Sequence, residues 1–222
     1  MIATTKNNSK TFLHFIILAG WLLAAHLAAQ GNASDLPAGE YTLDRSHASL
    51  LFRVNHLGFS MYTARFVKFD ATLQFNPKQL QQSKLTVTVD ATSLETDFPN
   101  PEVVDFNAEL TGGNWLNTAA HPTMQYQSTK VIDIGNNQMQ VEGLLTLNGI
   151  TKPVSLAVTY NGGWLGIPQD PHARAGFSAR GQLKRSEFNI NAGIPAPGTT
   201  MGVSDDVDII IEAEFSGPEW KQ

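Results

Sequence analysis

The sequence predicts an all-β domain, an antiparallel sandwich or barrel of about eight strands with one short helix, and three observations carry that prediction. Apolar residues recur at every second position over most of the chain. Turn residues break the alternating stretches into short segments. Helical spacing is confined to one stretch, Pro101 to Leu110, where Val103, Phe106 and Leu110 fall three and four apart.

Taken in order, Ala48, Leu50, Phe52, Val54 and His56 share one parity, while Ser49, Leu51, Arg53 and Asn55 share the other. A period of two places the first set on one face of a strand. Gly58 permits a turn into a second segment, where Val67, Phe69, Ala71, Leu73 and Phe75 alternate with Phe66, Lys68, Asp70, Thr72 and Gln74. Leu85, Val87 and Val89 supply a third, and a strand is expected between Thr123 and Ile134. Met139, Val141, Leu145 and Leu147 then lead to Asn148-Gly149, a pair suited to a two-residue turn with positive φ at both positions. Val154, Leu156, Val158 and Tyr160 return from it, with Pro153 near the entrance where a missing donor is tolerated. Ala173, Ala175, Phe177 and Ala179 form the next face, and Val207, Ile209, Ile211, Ala213 and Phe215 the last. The helix is expected to lie across one end of the barrel or beside it.

An eight-stranded barrel either fills its interior with side chains or encloses one small ligand. The inward candidates here mix large residues (Phe52, Phe69, Phe75, Phe177) with small ones (Ala71, Gly143, Ala173, Ala175), and the small ones leave room.

Residues 1–33 read as a secretory signal peptide, with Lys6 and Lys10 ahead of an apolar run from Phe12 to Ala29 and small residues Gly31 and Ala33 before Ser34. Residues 34–222 form the mature domain, and no stable membrane insertion is expected once the peptide is removed. The chain has no cysteine, so neither a disulfide framework nor a cysteine-linked lipid is available to it. Its 15 basic and 20 acidic residues give a net charge of −5, with the basic ones scattered, which argues against nucleic acid and against an anionic membrane surface as partners. No nucleophile elbow, phosphate-binding glycine loop or dinucleotide fingerprint occurs. His47, His56, His121 and His172 are dispersed, and His47 and His56 have opposite parity, so neither a metal nor another cofactor is expected. Asp105 and Glu109 are explained by an exposed helical face.

Several motifs, taken in order, resemble the YceI-like lipid-binding family. They are Tyr41 to Asp44 with His47, Phe52, Val54 and His56-Leu57-Gly58; Arg65-Phe66 with Phe69; His121-Pro122; Gly143 to Gly149 with Thr151-Lys152-Pro153-Val154; Arg185 with Phe188 and Ile190; and Val203-Ser204-Asp205 with Val207. The resemblance spans nearly the whole mature chain. It implies a lipocalin-like eight-stranded antiparallel barrel, exported to the periplasm, that holds a polyisoprenoid or another long-chain lipid in an apolar tunnel. The chain departs from the family pattern between Asp105 and Trp115, which bears on the tunnel mouth.

A hydrocarbon tail gains roughly 0.8 kcal/mol per CH₂ removed from water, so such a site needs greasy walls more than directional contacts. The candidates for the wall are Phe52, Val54, Leu57, Phe59, Phe66, Phe75, Trp115, Phe177, Phe188, Ile190 and Ile194, each of which would serve equally as ordinary core. For a polar head group the candidates are His47, His56, Arg65 and Arg185. Two other readings stay open: an enzyme of lipid or small-molecule turnover using His47 or His56 as a base, and a ligand-free structural or stress-related barrel. The sequence does not decide between a monomer and a homodimer.

Overall fold

Antiparallel pairing runs around the molecule and closes on itself in the computed structural model, which describes residues 35–219. The strands are β1 (Gly39–His56), β2 (Ser60–Phe66), β3 (Phe69–Phe75), β4 (Lys84–Asp90), β5 (Leu94–Glu95), β6 (Thr123–Gly135), β7 (Gln138–Leu147), β8 (Ile150–Trp164), β9 (His172–Lys184) and β10 (Val203–Glu219). Among the described residues a single short α-helix, α1 (Phe106–Thr111), lies between β5 and β6. The order is β10-β9-β8-β7-β6-β4-β3-β1, and β1 pairs back onto β10 along most of its length. β2 pairs with the second half of β1 and β3 with the first half, so the two are parts of one interrupted stave. β4 and β5 are related in the same way, pairing with β3 and β2 respectively. The result is the expected barrel of eight staves. The proposed signal peptide lies outside the described residues, and no described helix is long and apolar enough to cross a membrane.

Alternation puts the greasy parity inside. Val207, Ile209, Ile211, Ala213 and Phe215 of β10 face inward opposite Leu183, Ala179, Phe177 and Ala175 of β9. The Asn148-Gly149 hairpin forms as expected, with φ of 50° and 74° at its two residues. Asn148 Nδ2 donates to Phe188 O at 3.0 Å and ties that turn to the short 3-10 turn Arg185–Phe188.

The structure corrects the sequence reading at four points. β1 starts at Gly39, well before Ala48, and its pairing with β10 slips between Asp44 and Ala48, leaving Arg45, Ser46 and His47 as a bulge. Tyr41 and Leu43 are therefore inside with odd numbers, whereas Leu50, Phe52 and Val54 are inside with even ones. Val67 is exposed, not inward. It sits in the break between β2 and β3, where its amide donates to Ser93 O, and Phe66 takes the interior on one side of the break and Phe69 on the other. The helix begins at Phe106, because Asp105 caps it by accepting from the Ala108 amide at 2.9 Å while Val103 and Val104 remain exposed in the preceding turn. Finally, Gly143 does not leave room for a ligand. A Cβ there would collide with the Tyr126 ring, whose hydroxyl lies 3.1 Å from Val141 O and 3.2 Å from Val154 O. Ala173 and Ala175 are likewise packed, at the end of the barrel that Leu36, Tyr41 and Tyr160 fill.

Candidate functional site

Many inward side chains are only half-buried although they point away from bulk water, among them Leu50, Phe52, Val87, Leu145, Ile209 and Ile211. What they face is a cavity of about 530 Å³ that runs through the barrel. Its wall is almost wholly hydrocarbon and aromatic. Among the described residues that line it there is no Asp or Glu, and its basic members are His56, Lys84 and Arg185. A volume of this size falls within the range of small-ligand sites.

One end of the cavity meets the outside. His56, at the end of β1, lines the cavity and is also exposed to solvent, and it pairs with Val203 at the start of β10. Phe98, with Phe106 and Leu110 of α1, then Trp115 and Leu116, complete this part of the wall, so α1 sits at the mouth. Phe106 stacks edge-on against Tyr62 at 6.0 Å, which fixes the helix to β2. The other end is stopped by aromatic rings. Phe177 contacts Phe75 at 5.8 Å, Tyr160 at 5.6 Å and Phe215 at 5.9 Å between ring centres, all near edge-to-face.

Arg185 sits in the wall near the mouth and is only 4% exposed. Its Nε donates to Ser204 O at 2.9 Å, and its two terminal nitrogens donate to Ile190 O at 2.9 Å and Val203 O at 2.8 Å. The guanidinium also lies over the Trp115 ring, 5.3 Å from its centre. Burial pulls its pKa down, and the nearby Asp205 charge opposes that shift in part. Arg185 thus holds the start of β10, Ile190 and Trp115 together at the mouth.

The structure brings Phe52, Val54, Phe66, Phe75, Trp115, Phe177 and Ile190 into the cavity wall, along with His56 and Arg185. It places four of the apolar candidates elsewhere. Leu57 has φ of 55° in the β1–β2 turn, and Phe59 is 81% exposed on the same turn. Phe188 is fully buried in the core behind the cavity, and Ile194 lies in the loop leading to β10 without lining the cavity. Two polar candidates also point away. Arg65 faces outward between Ala64 and Phe66 and is paired with Asp97. His47 is in the β1 bulge on the outer surface, hydrogen-bonded to Asp44 at 3.0 Å. Asp44, His47 and Glu214 lie close enough to share an ion, yet Asp44 already accepts from His47, from Ser46 and from Arg174 at 3.2 Å. Sequence reasoning missed several wall residues, notably Val87, Leu145, Ile209 and Ile211, although their parity had already placed them on inward faces.

The hydrogen bond that His47 donates to Asp44 raises the pKa of His47, with the Asp44 and Glu214 charges adding to the effect, and Asp44 is itself held down at about 2, chiefly by hydrogen bonds from Ser46 and His47. The protonated imidazole therefore stabilises the fold fully below the free-histidine value near 6.5, and that contribution disappears as pH rises through the raised value. NMR titration is expected to show His47 titrating above free histidine and Asp44→Asn bringing it back. A normal midpoint for His47 in the unsubstituted protein would contradict the bonded geometry.

Fold and site together define a hollow, lipocalin-like eight-stranded barrel with an apolar interior. The chain belongs to the YceI-like family: the YceI-like domain model matches residues 41–215. It is 35% identical over 202 residues to protein YceI of Escherichia coli O157:H7, covering 89% of this chain and 95% of that one. It is also 33% identical over 181 residues to a UPF0312 protein of Vibrio cholerae, covering 80% and 87%. Among solved structures, BcnA of Burkholderia cenocepacia superposes with a TM-score of 0.64 at 22% identity, covering 78% of this chain and 98% of that one. A polyisoprenoid binding domain from Saccharophagus degradans gives 0.56 at 15% identity, covering 80% and 98%, and both structures share the barrel.

Proposed function

We propose that the protein is a periplasmic carrier that holds an isoprenoid, such as a quinone or polyprenyl lipid, or another long-chain amphiphile inside the barrel. The observation that carries this reading is the 530 Å³ cavity whose wall, among the described residues, offers hydrocarbon and aromatic surface and no carboxylate. Water in such a space has few partners, whereas each methylene of a tail placed there gains about 0.8 kcal/mol. The mouth, with His56, Arg185 and Trp115, is where a polar head group would remain in contact with water. The likeness to a domain described as polyisoprenoid binding supports the isoprenoid over other apolar ligands. The leader-like segment at 1–33 supports export.

Binding is favoured over catalysis because general acid–base chemistry needs two titratable groups at a fixed separation, and the described lining places no carboxylate beside His56. The test is mass spectrometry of the lipid released from protein purified from its own host. A prenyl lipid at close to one per chain is expected. A barrel that is reproducibly empty and takes up no added prenyl lipid would overturn the reading.

A further inference from the structure

Behind the aromatic stop lies a second, smaller cavity of about 220 Å³. Its walls turn polar, with Asp133, Gly135, Asn136 and Asn137 of the β6–β7 hairpin on the side away from the main cavity. The two spaces share Phe75, Leu80, Met139 and Phe177. Nothing thicker than these side chains separates them, and the Phe177 ring is the member that contacts aromatic neighbours on three sides.

We propose that Phe177 is the end-stop that sets the longest chain this barrel accepts, and that the smaller cavity behind it is a tail subsite closed to the ligand by that ring. The proposal rests on the carrier reading and deepens it, naming the ligand by chain length. A tail entering at His56 runs along β10 and β9 until it meets Phe177 at the far end of the cavity. Up to that contact each added carbon is buried against apolar wall and binding tightens. Beyond it the next carbons would have to displace a ring held by edge-to-face packing against Phe75, Tyr160 and Phe215, or fold back on the chain, and the gain per carbon ends. Truncating the ring joins the two cavities, so one more isoprene unit can pass between Phe75, Met139 and Tyr160 before the chain reaches the polar hairpin. Main-cavity contacts near the mouth are untouched.

The experiment measures affinities of linear prenyl alcohols of increasing length, farnesol, geranylgeraniol and longer homologues, for the delipidated protein and for Phe177→Ala. Saturated n-alcohols of matching lengths run in parallel. Phe177→Leu accompanies them, because it removes less packing and guards against a variant that fails to fold. For the unsubstituted protein, affinity should rise with length to a break and then level off. In Phe177→Ala the break should move to chains at least one isoprene unit longer. A break at the same length in all three proteins, with short chains still bound, overturns the end-stop. If saturated alcohols show the shift while prenyl alcohols bind nowhere, the end-stop stands and the isoprenoid reading falls. If neither series binds, both fall.

Discussion

Val87→Phe is expected to lower lipid affinity at least a hundredfold while leaving the ligand-free barrel as stable as before or more so. Val87 lies on β4 between Ala71 of β3 and Tyr126 of β6, midway along the wall, and is only half-buried because it faces the void. A phenyl ring there grows into empty space, so the strain of overpacking a filled core does not arise. It takes up about as much room as one five-carbon unit of ligand. At roughly 0.8 kcal/mol per carbon the displaced unit is worth about 4 kcal/mol, which is two to three orders of magnitude in affinity. The added ring is buried without an unpaired polar atom, so it contributes stability to the empty form. Competition binding with a prenyl alcohol and thermal unfolding of the delipidated protein read the two effects separately. Unchanged affinity would mean that no ligand passes Val87.

Arg185→Ala should be the most damaging single change to stability near the mouth, roughly 3 kcal/mol or more by denaturant unfolding. Three backbone carbonyls, those of Val203, Ile190 and Ser204, lose their donor at a nearly sealed site, and each unsatisfied buried acceptor costs about 1–3 kcal/mol. Arg185→Lys is expected to recover little of that. An ammonium is a point donor and cannot span three separate carbonyls while lying flat over Trp115. If lysine restored full stability, the fork of hydrogen bonds would not be what holds the mouth together.

Most of the barrel was legible in the sequence because strand alternation is a local signal. From Met139 to Phe215, the parity of the apolar residues alone separates wall from exterior, and the Asn148-Gly149 turn marks one hairpin without ambiguity. What escaped was set by contacts between distant residues or by breaks in register. Tyr41 and Leu43 could not be joined to Phe52 by parity, since the bulge at Arg45 to His47 reverses which side faces in. Gly143 looked like free space because nothing local says that Tyr126, on the neighbouring strand, occupies it. Leu57 and Phe59 continue an apolar motif yet fall on a turn, where backbone curvature and not hydrophobicity decides direction. Arg185 was singled out as a polar partner for a head group. Its three carbonyl bonds come from residues 5 to 19 positions away, and no spacing rule announces them.

The seam between β1 and β10 joins the beginning of the domain to its end. Until Val203 to Glu219 arrive, the preceding staves can form only an open, curled sheet with two raw edges and no enclosed interior. Assembly must therefore wait for the last strand, which favours slow, late closure of a kind typical of topologies dominated by distant pairings. The greasy inner surface is exposed throughout that wait, and hydrocarbon present at the moment of closure would be trapped inside as the final strand zips home.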